Sequence, residues 1–252
     1  MLFVPAKEKM LSKVGTFEAD AYILDLEDSI APEEKESALQ RVDAFLAKGG
    51  NTRIYARLNS DRYKQELALL DKYDVGFMLP KFERSSDYQS EAFERHDILA
   101  IIETPLGLVN IEQIVTLTWV NAIVFGAEDF TAAVNMVDDD KYLGWQKSRV
   151  VTYAKAYKKR VYDTPSFSLD DLAAIKAETE LSAAMGFDGK MSINPKQVPF
   201  INNAFKGQDI DYLKSVVSRY EADGGAVVVI DGRVFEKMHI NRFKKIIREN
   251  AQ

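Results

Sequence analysis

The chain has 252 residues, 46% of them hydrophobic, enough to bury a full core as one large α/β domain or two smaller ones. Its 33 basic and 39 acidic residues give a formal charge of −6 with no long run of either sign, which argues against nucleic acid as a partner. The absence of cysteine excludes disulfides, thiolate nucleophiles, cysteine-type zinc sites and iron–sulfur ligation, and two histidines, His96 and His239, leave little room for a His-centred triad.

No stretch reaches the roughly 18 apolar residues of a membrane span, and "MLFVPAKEKM" is too short an apolar segment for a signal peptide. The expectation is a cytoplasmic protein with no membrane partner. Along the chain, short β-rich runs alternate with segments of helical period. The runs are "LFVP", "AYILDLED", "RIYARLN", "GFMLPKF", "DILAIIET", "AIVFGAED", "RVYDTPS" and "DGKMSIN". Between them, "PEEKESALQRVDAFLAK" sets Pro32 in a first helical turn with acids behind it. "SLDDLAAIKAETELSAAMG" offers Ser168 as N-cap and Gly186 as the stop.

Eight strand and helix pairs predict a (β/α)8 TIM barrel over residues 1–206. An open doubly wound sheet is the competitor, but no Gly-x-Gly-x-x-Gly follows any strand. Past "PKQVPFINNAF" the pattern changes to a helical segment near Asp209–Ala222, a glycine-punctuated β-like stretch "DGGAVVVIDGRVF" and a basic helix "NRFKKIIREN". Residues 207–252 are therefore read as a C-terminal extension, a lid or an oligomer contact.

In such a barrel the C-terminal strand ends form the active-site face. Reading each run to its end delivers Asp25, Glu27 and Asp28, then Arg57 and Asn59, Lys81, Glu103, Asp129, Asp163, and Lys190 with Asn194 to one rim. Alternation in "RIYARLN" puts Ile54, Ala56 and Leu58 against the helices and Tyr55, Arg57 and Asn59 toward the mouth. The same test groups Glu103 with Ile101, and Asp129 with Ala127 and Phe125. Carboxylates converging without histidine or cysteine match a hard oxygen-ligand site for Mg²⁺, with Glu103 and Asp129 as direct ligands and Asp25, Glu27 and Asp28 orienting its waters. Each pick has a plainer reading: a strand-end carboxylate can be a helix N-cap, Arg57 a structural partner of Glu27 or Asp28, and Lys81 and Lys190 structural counter-charges.

In order along the chain, "LFVPA", "ADAYILDLEDSIAPEEK", "YARLN", "GFMLPK", "IIETPLGLVNIEQI", "VFGAEDFTA", "SRVVTYAKA", "YDTPSF" and "GFDGKMSINPKQV" resemble the citrate lyase β-subunit group of the HpcH/HpaI aldolase superfamily. The resemblance implies a (β/α)8 barrel that forms homo-oligomers, trimers or multiples of them. It implies Mg²⁺ on Glu103 and Asp129, and Arg57 on substrate carboxylate and carbonyl oxygens. The implied chemistry is reversible cleavage of a citryl-, malyl- or citramalyl-type thioester, on coenzyme A or an acyl-carrier protein, into an acetyl thioester and a 2-oxo acid. Arg57, Glu27, Asp28 and Glu236 are then the catalytic set, and Arg57, Lys81, Asn59 and Asn194 the substrate-binding set. Glu236, in "DGRVFE", stands where the family's "DGKMID" places a carboxylate from a neighbouring subunit's lid.

Departures from the pattern are Ala6 for a usual glycine, Asn194 where "IHP" carries histidine, and the absence of the family's Arg-Ser ahead of the first strand, a missing substrate or phosphate contact. Three alternatives stay open at this level. They are a metal-dependent class II aldolase acting on free hydroxy-oxo acids, a Schiff-base aldolase using Lys81 or Lys190, and a diverged non-catalytic metabolite-binding barrel.

Overall fold

A computed structural model describes residues 1–137, 140–206, 210–224 and 227–249. Two compact units result, Met1–Phe205 and Lys206–Gln252. In the first, eight parallel strands pair in chain order: β1 (Leu2–Pro5), β2 (Tyr22–Asp25), β3 (Ile54–Arg57), β4 (Gly76–Leu79), β5 (Ile98–Ile102), β6 (Val120–Phe125), β7 (Arg160–Asp163) and β8 (Gly189–Lys190). The sheet closes on itself where Ser192 N–H donates to Met1 O and Phe3 N–H to Ser192 O, each at 2.8 Å. All eight predicted runs form strands of a TIM-type barrel.

Parallel strands covered on both faces read as continuous apolar runs, and β5, "ILAII", is buried throughout. Alternation then divides the core in two. Inward side chains, among them Ile23, Tyr55, Met78, Leu99, Ile101, Val124 and Met191, fill the barrel. Outward ones, including Leu24, Ala56, Leu58 and Phe77, meet the surrounding helices. The helix Lys35–Leu46 follows a 3-10 turn Pro32–Glu34 and buries Ala38, Leu39, Val42 and Leu46, one stripe at helical spacing.

Two local expectations change. The helix Leu172–Met185 is capped by Asp171, whose carboxylate accepts from Ala173 and Ala174 N–H, rather than by Ser168. Its stop is Gly186, in the left-handed region at φ 95°. After β4 the connection carries a 3-10 turn, Glu91–Arg95, in place of an α-helix. Asp87 there binds the N–H groups of Glu83 and Arg84, and Ser90 that of Ala92, so short polar side chains compete with helical bonding.

The second unit packs the helices Ile210–Ala222 and Lys237–Glu249 with an antiparallel hairpin, β9 (Val227–Ile230) and β10 (Arg233–Glu236). Asp231 and Gly232 turn it with positive φ at both positions, the geometry that "DG" favours. Its core joins Leu213, Val216, Tyr220, Val228, Ile230, Phe235, Ile240 and Phe243. Asp209, Gly225, Ala226 and Asn250, which the predicted tail elements included, lie outside the described residues.

Gly76 at the start of β4 lets the Tyr55 ring lie across it. A Cβ there would sit 2.2 Å from Tyr55 Cδ1 and 2.7 Å from Asp97 O. Gly76→Ala should therefore cost about 1–3 kcal/mol of stability by overpacking, seen as a lower urea midpoint at unchanged slope. An unchanged midpoint would show that the interior accommodates the methyl group.

Candidate active site

At the C-terminal strand ends a pocket of about 500 Å³ opens, lined among others by Asp25, Asp28, Arg57, Glu103 and Asp129. Arg57 is its hub. Nε and Nη2 donate to the two carboxylate oxygens of Asp25 at 2.7 and 2.8 Å, and Nη1 donates to Asp28 Oδ2 at 2.9 Å. Glu27 Oε2 lies 2.9 Å from the same Nη1 but outside hydrogen-bond geometry. The guanidinium also stands 5.0 Å over the Phe3 ring. Burial disfavours the charge on Arg57, yet Asp25, Glu27 and Asp28 outweigh it and hold the guanidinium above its usual range. Burial likewise pushes Asp25 up, and the bonds to Arg57 overcome it and leave the carboxyl below its ordinary value.

Glu103 follows β5 and points inward, 5% exposed. Lys81 N–H donates to its Oε1 at 2.7 Å, from a backbone held at φ 51°. Burial, then the negative charges of Glu27 and Asp129, push its carboxyl up to about 8. Glu27 is pushed to about 7, chiefly by burial and with Asp28 adding to it, although Arg57 and Lys81 pull the other way. Gly126 makes room for Glu103: a Cβ on it would lie 2.6 Å from Glu103 Cβ and 2.8 Å from Oε2.

Asp129 departs from the expected position. β6 ends at Phe125, and Asp129 sits in the first turn of the helix Ala127–Ala133. Strand alternation with Phe125 and Ala127 therefore does not apply, and those two belong to the outer core. Asp129 nonetheless lines the pocket with Glu103 and raises that group's proton affinity.

The donor set fits a hard divalent ion. Glu103 and Asp129 line the pocket beside Asp25, Asp28 and Glu128, and among the described residues no group of three His, Cys, Asp or Glu side chains forms a complete protein cage. Mg²⁺ takes one or two carboxylates and completes its shell with water and substrate oxygens. Glu103 and Asp129 are the residues that would hold it.

Other predicted residues go elsewhere. Asn59 accepts from Lys35 Nζ, and its amide and backbone N–H bind Leu26 O and Glu66. It fixes the β2 and β3 ends together and does not line the pocket. Asn194 caps the 3-10 turn Pro195–Gln197 by accepting from Lys196 N–H, also outside the pocket lining. Lys81 Nζ pairs with Glu27 Oε1 at 3.0 Å. Burial works against its charge, but Glu27 dominates and raises Lys81 above the usual lysine range, the wrong direction for an amine nucleophile. Asp163 and Lys190 are buried away from the pocket lining, where Asp163 Oδ2 receives Lys147 Nζ at 2.9 Å, Lys190 Nζ at 3.4 Å and Ser182 Oγ at 2.5 Å.

Three contributors escaped the sequence reading. Lys35, the last residue of "APEEK", donates to Leu26 O, Glu27 O and Asn59 Oδ1 and so fixes the acidic loop. Thr164 accepts from Ala127 N–H at 3.2 Å, tying the β7 end to the helix that carries Asp129. Phe3 forms a wall beneath Arg57. A lysine following "DLED" at fixed distance was a visible signal; the other two had none.

Glu236 lies in the second unit, on the exposed side of β10, with its backbone N–H donating to His239 Nδ1 at 3.1 Å. Among the described residues, no helix is long and apolar enough to cross a membrane.

Proteins of known name resemble this chain over most of its length. Citrate lyase subunit beta of Leuconostoc mesenteroides subsp. cremoris is 27% identical over 282 residues, covering 98% of this chain and 91% of that protein. A (3S)-malyl-CoA thioesterase of Cereibacter sphaeroides is 29% identical, covering 95% and 90%. Mitochondrial citramalyl-CoA lyase of Rattus norvegicus is 27% identical, covering 81% and 70%. Among solved structures, the citrate lyase beta subunit of M. tuberculosis complexed with oxaloacetate and magnesium superposes with a TM-score of 0.69 at 26% identity, covering 82% of this chain and 96% of that one. A citrate lyase from Burkholderia xenovorans shares the fold, with a TM-score of 0.85 at 17% identity over 99% and 90% of the two chains. The HpcH/HpaI aldolase/citrate lyase family model matches residues 1–195, and the chain belongs to that family.

Proposed function

We propose that this chain is a Mg²⁺-dependent carbon–carbon lyase that cleaves, or in reverse forms, a 3-hydroxyacyl thioester, giving an acetyl thioester and a 2-oxo acid. The observation that carries the reading is the convergence of Glu103, Asp129 and Arg57 on one pocket. Relatives named citrate lyase subunit beta and citramalyl-CoA lyase support it, as does the magnesium in the M. tuberculosis complex. Coenzyme A is the thioester carrier that the names of the two mitochondrial and bacterial CoA-acting relatives favour.

When bound on Glu103 and Asp129, Mg²⁺ supplies a Lewis acid for the oxo-acid carbonyl. The rest is this chain's own work. Arg57 has five N–H donors, and three are engaged by Asp25 and Asp28. Its remaining N–H groups are available to a substrate carboxylate, and Asp25 holds them in place by a two-point clamp. The backbone N–H of Lys81 fixes one oxygen of Glu103 and so orients the carboxylate that would hold the ion. Glu236 would hold or deliver the proton at the acetyl carbon, supplied by the second unit of a neighbouring copy in a homo-oligomer, a trimer or a multiple. In favour of that role, Val227, Val229 and Val234 on the same hairpin are exposed, an apolar face of the kind a partner covers.

The relative named (3S)-malyl-CoA thioesterase favours a second outcome on the same site, thioester hydrolysis. Products separate the two: an acetyl thioester with a 2-oxo acid for the lyase, free thiol with a hydroxy acid for the thioesterase.

Incubation with Mg²⁺ and citryl-, malyl- and citramalyl-CoA should release a 2-oxo acid from at least one of them. Glu103→Gln, Asp129→Asn and Arg57→Ala should each lower kcat/KM by about 10²–10³-fold, the first two also weakening Mg²⁺ binding in calorimetry. Absence of turnover on the whole panel by a protein that binds Mg²⁺ defeats the proposal.

Because the metal-free Glu103 carboxyl titrates at about 8, it is protonated at neutral pH and must lose its proton to become a ligand. Mg²⁺ affinity should therefore rise from pH 6 to 8, by up to about tenfold per pH unit for one displaced proton, and level off above. A flat affinity between pH 6 and 9 contradicts the assignment of Glu103.

Glu236→Gln should leave Mg²⁺ binding intact and reduce kcat by about 10²–10⁴-fold, the usual worth of a positioned acid or base. Mixing it with Arg57→Ala subunits should restore part of the activity. Failure of the mixture to recover, with subunit exchange verified, argues that Glu236 does not act in trans.

A further inference from the structure

The helix that brings Asp129 to the pocket begins without a cap of its own. An N-cap side chain ordinarily accepts from one of the first-turn N–H groups, which have no partner inside the helix. The N-cap of the helix Ala127–Ala133 is Gly126, which has no side chain to offer. Its backbone, at φ −102° and ψ 95°, is extended and open to any residue. What keeps a side chain off is Glu103: a Cβ on Gly126 would lie 2.6 Å from Glu103 Cβ and 3.2 Å from Ile101 Cγ2. Room for one proposed ligand thus deprives the other ligand's helix of a local cap.

Thr164 supplies the missing acceptor from the end of the neighbouring strand. Its Oγ1 takes the Ala127 N–H at 3.2 Å, across 37 residues of chain. Thr164 is buried and lines the pocket. Two features stiffen it: β-branching narrows its χ1, and Pro165 restricts the backbone before it to the extended region. Behind it, Asp163 is held by Lys147, Lys190 and Ser182, and Asp163 O accepts from Met191 N–H at 2.9 Å. On the opposite side, Gly126 N–H donates to Ile102 O at 3.0 Å, one residue before Glu103. The start of the helix is therefore fixed to β5 through the backbone and to the end of β7 through one hydroxyl.

We infer that Thr164 is a positioning residue for the metal site, an N-cap supplied from the end of β7 that sets where Asp129 stands relative to Glu103. The inference rests on the Mg²⁺ reading above. Asp129 lies two residues past Ala127, so slack in the first turn passes to its carboxylate. Glu103 is held by the Lys81 N–H and does not depend on Thr164.

Calorimetric titration of the full chain with Mg²⁺, beside urea unfolding of each variant, tests it. Thr164→Val removes the hydroxyl and keeps the branched shape. It should weaken Mg²⁺ binding by about 10–100-fold, the usual effect of losing a group that orients a ligand. Thr164→Ser keeps the hydroxyl and should bind Mg²⁺ nearly as tightly as the unaltered chain. Thr164→Ala removes the hydroxyl without adding bulk and gives the same readout if the valine variant does not fold. Unchanged Mg²⁺ affinity in the variants without the hydroxyl, even with a lower urea midpoint, marks a cap that serves stability only; it overturns the inference and leaves the lyase reading standing. An equal loss in Thr164→Ser overturns it too, because the effect then belongs to the methyl group. A full chain that binds no Mg²⁺ overturns the metal site and this inference with it.

Discussion

Everything at the barrel mouth depends on the pairing of Arg57 with Asp25. The chain just past the strand ends brings Asp25, Glu27, Asp28 and Glu103 close together, and the helix after β6 adds Asp129 to the pocket. Such a cluster repels itself. The two-point contact at 2.7 and 2.8 Å fixes one carboxylate as an anion and turns the guanidinium toward the others. In a buried setting, removing either partner leaves an uncompensated charge, which is why this pair constrains the whole rim. Glu27 then bridges outward to Lys81, whose backbone N–H returns to Glu103. One chain of contacts thus links β2, β3, β4 and the end of β5.

Much of this was legible in the sequence because the barrel imposes a simple rule: while a strand lasts, alternate residues share a side. Tyr55 and Arg57 obey it, and Glu103, the first residue past β5, still keeps to the side of Ile101. The rule fails further beyond the strand. β3 ends at Arg57, so Asn59, two residues on, is turned by long-range bonds to Glu66 and Lys35 instead of following the inward side. Gly126 similarly interrupts β6 before Asp129, which reaches the pocket from a helical turn. Asn194 precedes a proline and caps the turn that follows, a local preference that holds it outside the pocket lining. None of these outcomes depends on composition or period; each depends on a partner distant in sequence or on where the extended backbone breaks.

The buried set around Asp163 shows how the rim is supported from behind. Lys147 and Lys190 are 1% exposed and Asp163 is 0% exposed, and both lysines reach the same Asp163 oxygen. Burial raises the Asp163 carboxyl, and the two lysines more than reverse that, keeping it ionised. Charges this deep are poor sources of net stability. Their geometric effect is clearer: Asp163 pins the end of β7, the next residue, Thr164, binds Ala127 N–H, and Ala127 begins the helix that carries Asp129. The lysine of "GFDGKMSIN" read as a rim residue from sequence because β8 is only two residues long and gives no alternation to test it.

The raised carboxyls carry the argument one step further. A pocket built for stability alone would pair every acid with a cation, as Asp25 is paired. Glu103 instead lies buried with a single backbone N–H on one oxygen and a proton affinity pushed to about 8 by burial and by neighbouring acids. A divalent ion held by Glu103 would take the place of that proton and offset the repulsion from Glu27 and Asp129 at once. The repulsion that disfavours an ionised Glu103 is therefore the same free energy that would favour a hard cation beside it. Gly126 matters on the steric side, because a Cβ there would lie 2.8 Å from Glu103 Oε2 and fill the space beside that oxygen.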